Sequence, residues 1–228
     1  MSARRSTAAK HGPLPDKVPL DRETVLRTGL GIANSEGIEA VTFRRLAEEL
    51  SVTPMALYRH VSNKSDLLEG IFDLVANAAA VTDHDDPDWR DWVCRAFVKM
   101  GEAMLRQRGV MPLLGCAESY GRSRTAVVEK IYHRLCESGF TPIEAAQLQQ
   151  DLYRYMLGTV ALAGTLPGDA TSVDHERHTG ARLELLPSDE FPMVTRHAAD
   201  IAKILVSTDM EKGLRRIIDA HGRECGVE

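Results

Sequence analysis

From Leu50 to Ser65 the chain carries no acidic side chain, yet Arg59, His60 and Lys64 stand there. Cations without an opposing carboxylate suit contact with phosphate, so this stretch is a candidate polyanion surface. Other chemistry-bearing groups lead less far. His175-x-x-His178, flanked by Asp174 and Glu176, offers metal-ligand donors, but in a polar stretch without helical periodicity; a solvated loop explains it, and no metal is expected. Cys94, Cys116, Cys136 and Cys225 are widely spaced with no C-x-x-C pair, which points to reduced thiols rather than a disulfide framework or a zinc site. No G-x-S-x-G, phosphate loop or paired Cys/His arrangement occurs, so catalysis has no candidate residues and no cofactor is implied.

The bulk numbers limit the classes. With 228 residues, 43% hydrophobic and 27% charged, the chain suits one large or two smaller globular domains. Its apolar runs, such as Gly158 to Gly164, fall far short of the roughly 20 residues that span a bilayer. Arg4, Arg5 and Lys10 are followed by no apolar stretch of the secretory kind. A cytoplasmic protein without membrane association is expected. The net charge of −5 is unevenly spread: residues 1–20 hold four bases and one acid, residues 21–70 six bases and eight acids. The acid-free stretch is thus a small basic surface on an acidic body, which suits sequence-specific reading with modest nonspecific affinity.

The elements that position this surface are short. Phe43, Leu46, Ala47 and Leu50 recur at i, i+3, i+4 and i+7, one apolar stripe on a helix that Thr42 can cap. Ser51-Val52 interrupts the stripe. Thr53 is then a second N-cap and Pro54 a first helical residue, where its missing N–H is harmless. The second helix should bury Leu57 and Val61 and turn Met55, Ala56, Arg59 and His60 elsewhere. Two such helices fit a helix-turn-helix whose second helix enters the DNA major groove.

Around this pair, residues 1–20, with Pro13, Pro15 and Pro19, read as a disordered basic tail. A helix is expected from Asp21 to about Ser35, stopped by Gly37 in the left-handed region, and another from Asn63-Lys64-Ser65-Asp66 through Val75. Together they make an N-terminal domain over 21–81. The polar break 82–88, with Pro87, separates it from a second domain over 88–222. There, helices are expected over Trp89–Arg108, Ser123–Ser138, Pro142 to Gly164, from Glu190 through Leu205, and Asp209–Ala220, with a short segment at Met111–Gly115. Leu166 to Pro187, polar and glycine-containing, reads as a mobile loop. No alternating strand pattern occurs, so the fold is expected to be all-α: a three-helix helix-turn-helix domain plus a helical ligand-binding and dimerisation domain.

The string Val41-Thr42-Phe43-Arg44-Arg45-Leu46-Ala47, then Leu57-Tyr58-Arg59-His60-Val61 and Asn63-Lys64, resembles the TetR-type transcriptional regulators over roughly residues 21–75. Leu-Tyr-x-His-Val-x-Asn-Lys is most similar to the branch that includes the tetracycline repressor, as is Asp209-Met210-Glu211-Lys212-Gly213-Leu214 near the end. The resemblance implies a homodimeric repressor released from double-stranded operator DNA by a small effector. Carried over residue by residue, it implies that Arg44 addresses a base edge, where an arginine can bind guanine O6 and N7 together, with a solvated helix face as the alternative. Thr42 caps its helix and can hold a phosphate; Thr53, at the second helix start, belongs to the same surface. Met55 and Ala56 would meet thymine methyls. Tyr58, His60 and Lys64 would anchor phosphates, with a core role for Tyr58 as the alternative. Arg59 reads a base or holds a phosphate, and the basic tail either reaches the minor groove or stays disordered.

The sequence departs from the tetracycline repressor where drug and magnesium would be held: Ala78-Ala79-Ala80 and Val110 to Leu114 stand there, so tetracycline is not the expected effector. Trp92, Phe97, Met100, Met104, Met111, Tyr120, Tyr153 and Met156 are the candidate pocket residues, with plain core as the alternative for each. Flexible methionines suit an adaptable pocket for a hydrophobic or aromatic effector. The helix from Pro142 and that from Glu190 are expected to pair with a second copy as a four-helix bundle. The alternative functions are a helical interaction protein or a small-molecule enzyme without DNA binding.

Overall fold

Helix starts and stops are written into the sequence by capping chemistry, and most fall where the residues place them. The computed structural model describes residues 20–78, 82, 85–115, 122–164 and 172–227, and every regular element among them is helical. The proposed tail thus lies, but for Leu20, outside the described residues. Helix α1 (Arg22–Glu36) starts where Asp21 accepts the Thr24 N–H at 2.7 Å. Gly37 ends it at φ 90° and ψ 162°, a positive φ as expected, but with an extended ψ rather than the left-handed helical one. A 3-10 turn (Ile38–Ala40) leads to α2 (Phe43–Leu50), capped by Thr42, which accepts the Arg45 N–H at 3.1 Å. Ser51 takes the left-handed conformation (φ 54°, ψ 42°), turning the chain into the four-residue α3 (Pro54–Leu57). Thr53 stands at the N-cap position of α3, but its side chain makes no capping bond there. Helix α4 (Lys64–Ala78) starts with a reciprocal cap: the Asp66 N–H donates to Asn63 Oδ1 (2.9 Å) and the Ser62 N–H to Asp66 Oδ2 (2.7 Å).

The body is built on α5 (Trp89–Arg106), capped by Asp88, a 3-10 segment (Arg108–Gly115), α6 (Arg122–Glu137) and α7 (Pro142–Gly164). Thr141 and Glu144 form a capping box at the start of α7, with the Thr141 N–H donating at 2.8 Å and the Glu144 N–H at 3.3 Å. Along α7, Leu148, Leu152, Met156 and Val160 recur at every fourth position, all fully buried. They join Val93, Phe97 and Met104 of α5, and Leu214 and Ile218 of α11 (Glu211–Cys225), in one apolar cluster that continues into the N-terminal helices.

Two expectations fail in the stretch after α7. Leu166 to Pro187 is not a loop throughout: Ser172–Glu184 is helix α8. Its side chains have little apolar periodicity, so its support is tertiary. Gly180 is buried, and a Cβ there would meet the Ala202 side chain at 3.7 Å and the Ala199 backbone at 4.0 Å, so a small residue lets α8 lie close against α10 (Ala198–Val206). The helix expected from Glu190 is two pieces, α9 (Pro192–Arg196) and α10, because His197 at φ −114° and ψ 23° leaves helical geometry. His175 and His178 are therefore helical, and Asp174 pairs with Arg177 at 2.7 Å. Among the described residues no helix is long and apolar enough to cross a membrane.

Candidate nucleic-acid interface and effector cavity

The head surface is held up from beneath. Leu46, Leu57 and Val61 are buried, with Leu57 wholly so, and this fixes α3 against α2. That leaves Met55 with 75% of its surface exposed, and Thr42, Arg44, Thr53, Arg59 and Lys64 exposed as well. Ala56 and His60 are half-buried. The Tyr58 ring stacks on Phe43 at 4.4 Å between centroids and 9° between planes, joining the start of α2 to the end of α3. With 52% of Tyr58 exposed, this contact braces the ring rather than burying it. The stacking brings the Thr42–Arg44 turn beside α3, two segments separate in sequence.

Electrostatics sharpen this surface. Arg44 and Arg45 are neighbours with different surroundings. Arg44 projects outward and meets Glu48 at 3.7 Å, a loose i,i+4 contact. Arg45 turns inward to Glu36 (2.7 Å) and Glu49 (2.8 Å), fastening α2 to the end of α1; these bonds raise the Arg45 pKa, and Arg45 holds the Glu36 carboxyl below its usual range. At the other end, Asp66 is engaged by Arg22 at 2.6 Å, and the same guanidinium donates to the His60 carbonyl at 2.7 Å. The Arg22 bond holds the Asp66 carboxyl below its usual range against the opposing effect of burial, and the Ser62 N–H adds to the lowering. The acids that border the acid-free stretch are thus neutralised by arginines of the head itself. The pairings of Arg22 with Asp66 and of Arg45 with Glu36 had no sequence signal: the partners stand 44 and nine positions apart.

A small cavity of about 30 Å³, open at its mouth, lies between α4, α5, α6 and α7. Phe72, Phe97, Met100, Val127, Val128, Ile131 and Tyr153 line it with Arg124 and Gln149. Of the residues that the sequence offers for a pocket, Phe97, Met100 and Tyr153 lie in this lining. Trp92, Met104 and Met156 are not in the lining but packed in the core, because α5 and α7 also serve α11; Met156 and Met210, for example, both close on Gly101. Tyr120 and the side chain of Met111 lie outside what is described. Phe72, Arg124 and Gln149 were missed, since periodicity marks buried faces and gives no hint of which polar residue borders a space.

Residues 25–71 match the bacterial regulatory proteins of the tetR family, and residues 82–220 match the tetracyclin repressor-like C-terminal domain. The chain belongs to the tetR family. It is 34% identical over 148 residues to the class C tetracycline repressor protein of Escherichia coli, covering 62% of this chain and 65% of the relative. It is 30% identical over 144 residues to the class A repressor from transposon 1721 of Escherichia coli, covering 62% and 66%. The chain thus spans just under two thirds of these relatives. Its fold is similar to that of the TetR family protein ActR of Streptomyces coelicolor in complex with actinorhodin, with a TM-score of 0.77, 24% identity, and coverage of 91% of this chain and 98% of that one.

In this tetR-family chain two of the contacts between head and body bear on the cavity and the head surface. One is α4, whose Phe72 belongs both to the head and to the cavity wall. The other is the end of α1 against the 3-10 segment 108–115. There the Asn34 amide donates to Gln107 Oε1, and the Gly109 N–H donates to Asn34 Oδ1 at 3.1 Å. A Cβ on Gly109 would collide with the Ala33 backbone carbonyl, so only glycine admits this approach.

Proposed function

We propose that the chain is a homodimeric repressor that binds operator DNA through its head and leaves it when a small hydrophobic or aromatic effector fills the cavity. The observation that carries this reading is Phe72: one side chain on the last helix of the head is also part of the cavity wall. An effector that widens this space must displace α4, and α4 carries the start of the exposed surface at Lys64. The Asn34–Gly109 junction gives α1 a second route to the same movement.

In this reading Arg44 reads a base edge, with Met55 and Ala56 against thymine methyls. Thr42, Tyr58, His60 and Lys64 hold phosphates, Thr53 and Arg59 complete the surface, and the protein works in the cytoplasm. The head spans residues 21–81 and the ligand-binding and dimerisation body residues 88–222. A single head reads too few base pairs to select a site, so two copies would address half-sites about one helical turn apart or slightly more. The second copy would lie along α7, α10 and α11, where Leu162, Ile204 and Leu205 are exposed beside a groove of about 1710 Å³, open solvent included. Along α7, Ala145, Leu148, Leu152 and Ala163 are taken up by the chain's own core, whereas the small residues Gly158 and Ala161 remain exposed.

An effector that favours the released conformation by about 3 kcal/mol shifts the balance roughly a hundredfold. A gel shift with the DNA upstream of the protein's own gene tests the reading. Retarded DNA at low salt, weakening steeply as salt rises, is the expected result; no retardation at low salt would remove its basis.

A further inference from the structure

We propose that the effector presents an uncharged carbonyl-type oxygen to the cavity, and that the amide N–H₂ of Gln149 receives it. The inference rests on the cavity being the effector site. Gln149, on α7, is 9% exposed and is the one polar residue buried in the core among the described residues. A polar group in such a place is costly unless its donors and acceptors are satisfied. The Gln149 Oε1 accepts from the Tyr132 hydroxyl at 3.5 Å, whereas the N–H₂ end makes no bond among the described residues, and the residue borders the cavity. Six of the other eight lining residues are apolar. The remaining two, Arg124 and Tyr153, face each other with the guanidinium 4.9 Å from the ring centroid and have other partners besides. Gln149 is thus the wall residue whose donor is unclaimed.

The size of the space narrows the chemistry further. At about 30 Å³ it admits a water-sized group and no ring system as it stands. An effector therefore reaches Gln149 edge first, and a carbonyl oxygen is an edge of that size. Leaving water costs a ketone, ester or quinone oxygen little compared with a carboxylate, and a single amide can satisfy the former but not the latter. Leu148 and Leu152, both fully buried, fix this part of α7 in the core. An oxygen held by Gln149 is thereby held to a fixed wall. The body of the ligand can follow only by displacing the apolar lining, including Phe72, the lining residue that α4 supplies.

The test uses two neutral probes of one shape, 4′-fluoroacetophenone and 4-fluoro-α-methylstyrene, in which C=CH₂ replaces C=O. Each is titrated into the full-length protein and followed by fluorine NMR. Gln149→Met keeps the length of the side chain and removes the donor. It should weaken binding of the ketone about fivefold or more and leave that of the alkene within about twofold. Gln149→Leu serves the same purpose if the methionine variant does not fold. Val128→Trp, which fills the cavity, should abolish binding of both probes, with Val127→Phe in its place if that variant does not fold. Ketone binding that survives Gln149→Met, or an equal loss of both probes in it, with both still excluded by the filled cavity, would overturn the role of Gln149 and leave the cavity as a ligand site. Binding that ignores the filled cavity, or no binding of either probe to the parent, would overturn both the inference and the reading on which it rests.

Discussion

Arg44 and Arg45 are adjacent, identical in chemistry and opposite in use. Arg45 spends its donors on Glu36 and Glu49 and holds two helices together, whereas Arg44 keeps 88% of its side-chain surface exposed. Its contact with Glu48 is long and solvent-screened, so breaking it to reach a base costs little. Replacing Arg44 by Ala should therefore lower the affinity for the preferred operator by about 1–3 kcal/mol and relax the choice at one base of each half-site. Lys64 is a point charge without planar geometry. Lys64→Ala should weaken every sequence alike and reduce the salt dependence by roughly one charge. Binding measured on a panel of single-base operator variants at two salt concentrations separates the two effects; the same flat loss for both substitutions would contradict this division.

At the scale of elements, α3 is too short to hold itself in place: four residues cannot sustain a helix in water, so its position comes from neighbours. Leu57 pins it from below, the Phe43–Tyr58 stack from one side, and Arg22, through the His60 carbonyl and Asp66, from the other. The Asp66 carboxyl is depressed from 3.8 in the folded protein. Its stabilising effect is therefore complete above the unfolded value and lost as pH falls through the lower folded value. Thermal melts from pH 6 down to pH 2 should show Arg22→Gln less stable than the parent at the upper end and converging on it in acid. Because 46% and 27% of these two side chains are exposed, the difference should stay within about 1 kcal/mol. The other element that depends on its neighbours is the 3-10 segment 108–115. Gly109→Ala would force it off the Ala33 carbonyl, with a loss of about 1–3 kcal/mol in stability and an altered effector concentration for DNA release. A melt and a release titration on the same variant check both; an unchanged release curve would leave α4 as the sole route between cavity and head.

For the whole molecule, the proposed assembly depends on the exposed residues of α7 and α10. Leu162 and Ile204 are more than 70% exposed, beside the groove that also includes Tyr155 and Leu205. Exposed aliphatic side chains of this kind, grouped along packed helices, are usual where another chain is to cover them. The parent should sediment at twice the chain mass. Leu162→Glu with Ile204→Glu should sediment as a monomer with unchanged helix content and lose operator affinity by a hundredfold or more, since each half-site is then bound alone. A double variant that stays dimeric would move the interface elsewhere.

The sequence by itself determined the head: caps at Thr42 and Asn63, the break at Ser51 and the buried stripe through Leu46, Leu57 and Val61 are local or strictly periodic signals, and the surface residues follow from what the stripe leaves outside. Local chemistry also announced α7, through Pro142 at its first helical position. Helix α8 was not legible, because its support is a glycine lying against two alanines some 20 residues further on, and small side chains leave no periodic mark. The pocket was only half legible for a related reason. Phe97, Met100 and Tyr153 could be named as apolar, but only packing decided that Met104 and Met156 turn into the core while Arg124 and Gln149 border the cavity. Burial is a property of faces and is written along the chain at helical spacing; a cavity is what several faces fail to fill, and it exists only once they have been brought together.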